Sequence, residues 1–294
     1  MYSVSMVKTI HFILPSGGVR GCFQAGFLYE LFTHYSEHFT VERVDGTSVG
    51  AINGIAVICN RIDLLKSIWL EISTIHDFFS SWSRIPIIGT LKNLYDGFYK
   101  NGLYNSNELR TKLVHNLSEA IKSLPSATLD KYSCCVTNVT QAKSEYIKGT
   151  HPQIFDFILA SASPWILCNP KEINENVYTD GAILDAYPLQ YVHETKADLT
   201  VIVGFDQESL HLEAPNTSHM LYFLARLLDI CRLHSYNTVK LKQLLRTRTC
   251  IPITNTMKIS MVDFSQDNIR EGFEHGQRMA HLFYRTYLAS STEM

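Results

Sequence analysis

The sequence predicts an α/β protein: a central, mostly parallel sheet with helices packed on its faces. Two observations carry this. The first 59 residues alternate strand, loop, helix, strand, loop, helix, and parallel strands joined through helices bury such a run. The rest of the chain adds further short apolar strands and two long helical stretches, with no internal repeat, low-complexity tract or flexible linker. A single domain over residues 1–294 is therefore expected.

Each element has a local reason. The apolar run Ile10–Leu14 ends at Pro15 and a glycine pair and reads as a short buried strand. Gly21–Tyr35 reads as a helix with small Cys22, Ala25 and Gly26 beside larger Phe27, Leu28, Leu31 and Phe32. A weaker strand, Phe39–Val44, leads to the helix Ala51–Cys59. Further strands are expected at Tyr132–Thr137, Glu145–Lys148, Asn176–Thr179, Leu199–Phe205 and Lys258–Val262. Long helices are expected at Ser218–Leu245 and Asn268–Leu288, where Ile269, Phe273, Met279, Leu282, Phe283 and Tyr287 form a near-helical stripe. The aromatic stretch Phe78–Tyr104 reads first as a cap over the core and second as a lid or lipid-facing surface.

Composition narrows the function. Hydrophobic residues make up 46% and charged residues 18% of 294, enough to build a substantial core. The 26 basic and 28 acidic residues leave a net charge of -2 without blocks of one sign, so a nucleic-acid partner is not expected. The seven cysteines form no C-x-x-C pair and read as buried free thiols in a reducing compartment. No apolar run approaches the roughly 20 residues of a membrane span. The N-terminus lacks a small-residue cleavage site, so no Sec-type signal is expected. The expected location is the cytoplasm or a membrane periphery, with signal-independent export left open.

Three motifs carry chemistry. Gly46-Thr47-Ser48-Val49-Gly50 is a G-x-S-x-G between a strand and a helix. It is either a surface turn or a nucleophile elbow, where the flanking glycines remove side chains that would collide. Ser16-Gly17-Gly18-Val19-Arg20-Gly21 follows the first strand, and its backbone N–H groups suit either an oxyanion or a phosphate. Neither G-x-G-x-x-G nor a P-loop fits it. Asp180-Gly181-Ala182 ends a strand and alone is an ordinary turn.

In this order and context the three motifs resemble those of the patatin-like phospholipases: a glycine loop, G-x-S-x-G, then D-G-G/A. "ILASASPWILCNP" (Ile158–Pro170) and "DGAILDAYPLQ" resemble the family's flanking segments. Ser16 departs from it, standing where members carry the first of three glycines. The resemblance spans a motif-bearing part of about residues 8–205, followed by a C-terminal part of about 206–294 expected to be helical. It implies a three-layer sandwich and a Ser48–Asp180 dyad, with Ser48 as nucleophile and Asp180 as general base. Gly17, Gly18 and Val19 would supply an oxyanion hole, Arg20 and Gly21 would support the loop, and Gly46 and Gly50 would shape the elbow. The implied substrates are phospholipids or other fatty-acyl esters met by peripheral membrane contact. Whether a protein activator takes part is open.

Neither a cofactor nor a metal is expected, calcium included, as no EF-hand-like loop occurs. His34 and His38 share the spacing of a metal pair but read as a solvated helix face. A triad completed by His193, His211, His219, His234, His275 or His281 ranks below the dyad. A soluble acyl-ester or thioester hydrolase is the second enzymatic reading. A disabled lipid-binding or interaction protein is the alternative of another class.

Overall fold

The computed structural model describes residues 7–71, 80–81, 104–105, 107–164, 168–204, 220–236, 238–257 and 259–289. Its strands, in chain order, are β1 (Lys8–Leu14), β2 (Phe39–Thr47), β3 (Ser80–Ser81), β4 (Tyr104–Asn105), β5 (Tyr132–Asn138), β6 (Lys143–Lys148), β7 (Lys171–Ile173), β8 (Asn176–Asp180), β9 (Leu199–Val203) and β10 (Cys250–Ile253). The helices are α1 (Gly21–His34), α2 (Val49–Ile58), α3 (Ile62–Leu70), α4 (Asn107–Ser123), α5 (Ser126–Leu129), α6 (Ile154–Ser161), α7 (Met220–Tyr236), α8 (Val239–Leu244) and α9 (Gln266–Phe283). The Phe78–Tyr104 stretch lies outside the described residues, apart from the short β3–β4 ladder.

The main sheet runs β10-β9-β1-β2-β5-β8-β7, with β6 also on β5. The four pairs from β10 to β5 are parallel, while β5–β6, β5–β8 and β7–β8 are antiparallel. Strand alternation divides the core in two, because successive side chains point to opposite faces. Ile10, Phe12, Leu14, Val201, Val203, Ile251 and Ile253 join one apolar cluster with α1, α2, α3 and α9. Ile13, Ile202 and Cys250 point the other way, toward Ala182, Ala186, Tyr187, Leu189 and the α8 residues Leu241 and Leu244. A mostly parallel sheet between two such layers is the expected sandwich.

The structure departs from several of these expectations. Residues 259–262 form no strand; their carbonyls instead accept bonds from the glycine loop, Met261 from Val19 N–H and Ile259 from Arg20 Nε. The expected helix 218–245 is two helices, the second opened by Thr238, whose side chain accepts Leu241 N–H. The C-terminal part also contributes a strand, β10, whose exposed Pro252 suits an edge position. Finally, α9 ends at Phe283 and a π turn completes Tyr284–Leu288.

Candidate active site

Register brings Ser48 and Asp180 together. A strand has only two edges, and β6 occupies one edge of β5 from Ser133 to Asn138. β2 and β8 therefore share the other. β2 runs up it, pairing Val44 with Tyr132 through Thr47 with Cys135. β8 runs down it, pairing Tyr178 with Asn138 through Asp180 with Val136. The two strands meet end to end, Thr47 and Asp180 facing successive residues of β5. Ser48 is the first residue past the joint, and its Oγ donates to Asp180 Oδ2 at 2.8 Å.

Ser48 itself sits at φ 58, ψ -125, a region that costs a non-glycine residue on the order of 1–3 kcal/mol. The turn is tight enough that Gly46 and Gly50 are compulsory. A Cβ on Gly46 would lie 2.3 Å from the Gly50 carbonyl oxygen, and one on Gly50 would lie 2.0 Å from Leu14 O. The N-terminal end of α2 follows directly and places its positive dipole end beside the serine. Ser48 N–H is accepted by Ser161 Oγ at 2.9 Å, and that hydroxyl donates to Cys135 O at 2.6 Å.

Asp180 is 3% exposed. Burial pushes its carboxyl from the ordinary carboxylate range up to about 7, against the opposing pull of hydrogen bonds from Ala182 N–H and the Ser48 hydroxyl. At that value the carboxylate is a far better proton acceptor than a solvated aspartate and still half-ionised near neutrality. Its backbone is held as firmly: Asp180 N–H donates to Ser163 O, and Thr137 Oγ1 donates to Asp180 O. Gly181 is needed for close approach, since a Cβ there would meet Cys135 O at 2.3 Å.

The glycine loop leaves β1 beside the elbow, as the β1–β2 register ends with Leu14 opposite Gly46. Among the described residues none accepts the N–H of Gly17 or Gly18, whereas Val19 N–H is committed to Met261 O at 3.0 Å. The Val19 amide thus holds the loop, and the N–H groups left without an acceptor among the described residues are those of Gly17 and Gly18. Gly18 has φ +57, and a Cβ on it would lie 2.4 Å from Met261 O. Arg20 is buried, its Nε donating to Ile259 O and its guanidinium gripping the Asp229 carboxylate of α7 with both ends. Gly21 packs on the Trp69 ring. The Ser16 hydroxyl is buried without a hydrogen-bond partner among the described residues.

Beneath the elbow lies a buried polar cluster that sequence reasoning missed. Asp45 is fully buried and bonded to Arg43 Nε, His11 Nε2 and Ser133 Oγ at 2.8, 2.8 and 2.6 Å. Ser161 was visible only as one small residue of the Ile158–Pro170 segment, and Asp45 only as the residue before the elbow motif. Asp185, whose carboxyl burial raises to about 6, bonds the Tyr146 hydroxyl.

Among the described residues the histidines stand apart from the Ser48–Asp180 pair. His275 packs on Phe23, and His281 sits by Glu30 and Tyr35. His193 and His234 are exposed, and His211 and His219 lie outside the described residues. His34 and His38 pair with Glu30 and Glu37, respectively. Among the described residues no cluster of three or more His, Cys, Asp or Glu is placed to hold a metal ion, and all seven cysteines are free. No helix among them is long and apolar enough to cross a membrane.

A comparison with curated proteins finds no match. Among solved structures, VipD from Legionella pneumophila superposes with a TM-score of 0.47 at 15% identity, covering 94% of this chain and 67% of VipD. The family model for patatin-like phospholipase matches residues 12–193, which includes the glycine loop, the elbow and Asp180. That match spans more than half of the sequence, and the chain belongs to the patatin-like phospholipase family of lipid acyl hydrolases.

Proposed function

We propose that this protein hydrolyses fatty-acyl esters of phospholipids or lysophospholipids at a membrane surface, using Ser48 as nucleophile and Asp180 as its base. The observation that carries the reading is the direct 2.8 Å hydrogen bond from Ser48 Oγ to the buried Asp180 carboxylate. Ser48 Oγ attacks the ester carbonyl while Asp180 takes its proton, and the tetrahedral oxyanion forms against the N–H groups of Gly17 and Gly18. Collapse of that intermediate breaks the ester C–O bond. The alcohol leaves with the proton from Asp180, and the acyl group stays on Ser48. A water, deprotonated by the same carboxylate, then attacks the acyl-enzyme, frees the fatty acid and returns the proton to Ser48.

Several features support this assignment. The α2 dipole and the glycine loop both favour negative charge where the carbonyl oxygen develops it. Burial of Asp180 answers the weakness of an ordinary carboxylate as a base toward a hydroxyl. Peripheral membrane contact belongs to the same reading, because the acyl chains of the substrate lie in a bilayer.

The test is fatty-acid release from mixed phospholipid vesicles, followed by mass spectrometry, for the native chain, Ser48→Ala and Asp180→Asn. Release by the native protein, with a loss of at least about 10³-fold in each variant, is expected. Equal release from all three would refute the dyad. Release from soluble esters but never from vesicles would favour the soluble-hydrolase reading.

A further inference from the structure

The strained elbow requires something to hold it, and the candidate lies on α6. Thr47 is the last residue of β2 paired with β5, facing Cys135. In a continuing parallel ladder, every second residue donates its amide to the facing strand's carbonyl one step behind it. Here that amide is Ser48 N–H and that carbonyl is Cys135 O, but the Ser161 hydroxyl stands between them. It accepts from Ser48 N–H at 2.9 Å and donates to Cys135 O at 2.6 Å. One hydroxyl is spliced into the sheet where β2 must leave it, so the strand separates without orphaning either backbone group.

The same turn of chain serves the other half of the dyad. Two residues on, Ser163 O accepts both Asp180 N–H and Thr179 Oγ1, at 3.2 and 3.0 Å. Cys135 O is also the atom against which Gly181 packs. The end of α6 and one carbonyl of β5 are therefore common supports for Ser48 and Asp180, whose positions are 132 residues apart in the chain. Ser161 is fully buried, so water cannot replace its hydroxyl from outside.

We infer that Ser161 is a positioning residue: its hydroxyl holds Ser48 in the elbow conformation and thereby sets the Ser48–Asp180 distance. The catalytic part of this inference rests on the function proposed above. Without the hydroxyl, Ser48 N–H has no acceptor, the strained φ has no tether, and Oγ drifts from the carboxylate. A misplacement of about 1 Å can cost on the order of 10²-fold in rate.

The experiment compares native protein with Ser161→Ala and Ser161→Cys by two routes. The first needs no turnover: amide hydrogen exchange of the peptide carrying residues 46–50. Protection at this peptide is expected to fall in Ser161→Ala while that of β1 and β9 is retained. The second is hydrolysis of 4-nitrophenyl butyrate with labelling by an alkyl fluorophosphonate. In Ser161→Ala, kcat and the labelling rate are expected to fall together by about 10- to 100-fold, with KM within about twofold. Ser161→Cys, which keeps a weak donor and acceptor in similar volume, is expected to be intermediate. The midpoint of the pH profile moves upward in Ser161→Ala, because Asp180 loses the hydroxyl bond that favours its ionised form. A uniform loss of stability would not produce that shift.

A folded Ser161→Ala with native exchange at 46–50, or with native labelling, would overturn the inference. If Ser161→Ala does not fold, Ser161→Cys decides by the same readouts. A native protein inert toward both the ester and the phosphonate would overturn the proposed function instead, and the exchange arm would still decide whether Ser161 tethers Ser48.

Discussion

Thr47 and Asp180 stand opposite neighbouring residues of a single strand, Cys135 and Val136, although their own strands run in opposite directions. That end-to-end meeting sets the chemistry. It puts a hydroxyl on one strand end and a carboxylate on the other at hydrogen-bond distance, with both side chains buried.

In the proposed mechanism Asp180 must be ionised to accept a proton, and its carboxyl is raised to about 7 chiefly by burial. Hydrolysis should therefore rise with pH through a midpoint near 7. Stability runs the other way. The folded state holds a proton that the unfolded chain releases near its ordinary value of about 4, so this carboxyl favours the fold at low pH. That contribution is lost as pH climbs from about 4 through about 7. Asp180→Asn should flatten this slope in a series of denaturant titrations while abolishing the activity.

Glycine at position 50 is a packing requirement. Gly50→Ala drives a Cβ to within 2.0 Å of the Leu14 carbonyl oxygen, so β1 and α2 must part. A loss of at least about 1–3 kcal/mol is expected, measured as a lower denaturation midpoint. Phosphonate labelling of Ser48 should fall as well, because the elbow opens.

Arg20 should be more than a surface charge. Removing it leaves Asp229 without its bidentate partner and Ile259 O without a donor. Arg20→Ala is expected to cost about 3–5 kcal/mol as a broken buried pair. Arg20→Lys should recover only part, since an ammonium cannot reproduce the fork. Thermal melts of the two variants test this order.

Asp45→Asn would strip the charge that balances buried Arg43, at a similar cost of about 3–5 kcal/mol. The residue lies three positions before Ser48 and never touches it, so the expected signature is a lowered melting temperature with near-native activity in the surviving folded protein.

Chelation separates this reaction from metal-assisted hydrolysis. The proposed steps use only Ser48, Asp180 and backbone amides, so fatty-acid release should persist in excess EDTA. A loss on chelation that calcium restores would overturn this expectation.

The parts legible in sequence were those whose physics is local. Gly46 and Gly50 around Ser48 announce a turn too tight for side chains, and Ile10–Leu14 followed by a glycine pair announces a buried strand and its loop. What stayed hidden depends on partners far along the chain. Val19 looked like a free donor because nothing in its neighbourhood reveals Met261 O, 242 residues away by number. Lys258–Val262 has strand-forming residues, but its carbonyls are taken by Val19 and Arg20. Pro252 disguised β10, since an edge strand tolerates a residue that the sheet centre rejects. Ser161 carries no signal of its own, because its use comes from where β2 and β8 meet on β5.

That meeting has a consequence for the order of events as the chain is made. Ser48 is synthesised before its partner, since the strand that ends in Asp180 follows 132 positions later and pairs antiparallel with β5. Until β8 pairs with β5, Ser48 lacks its carboxylate partner. Under the proposed mechanism, a chain made only as far as β6 is chemically silent toward lipids, and lipolytic competence arrives once β8 has paired with β5.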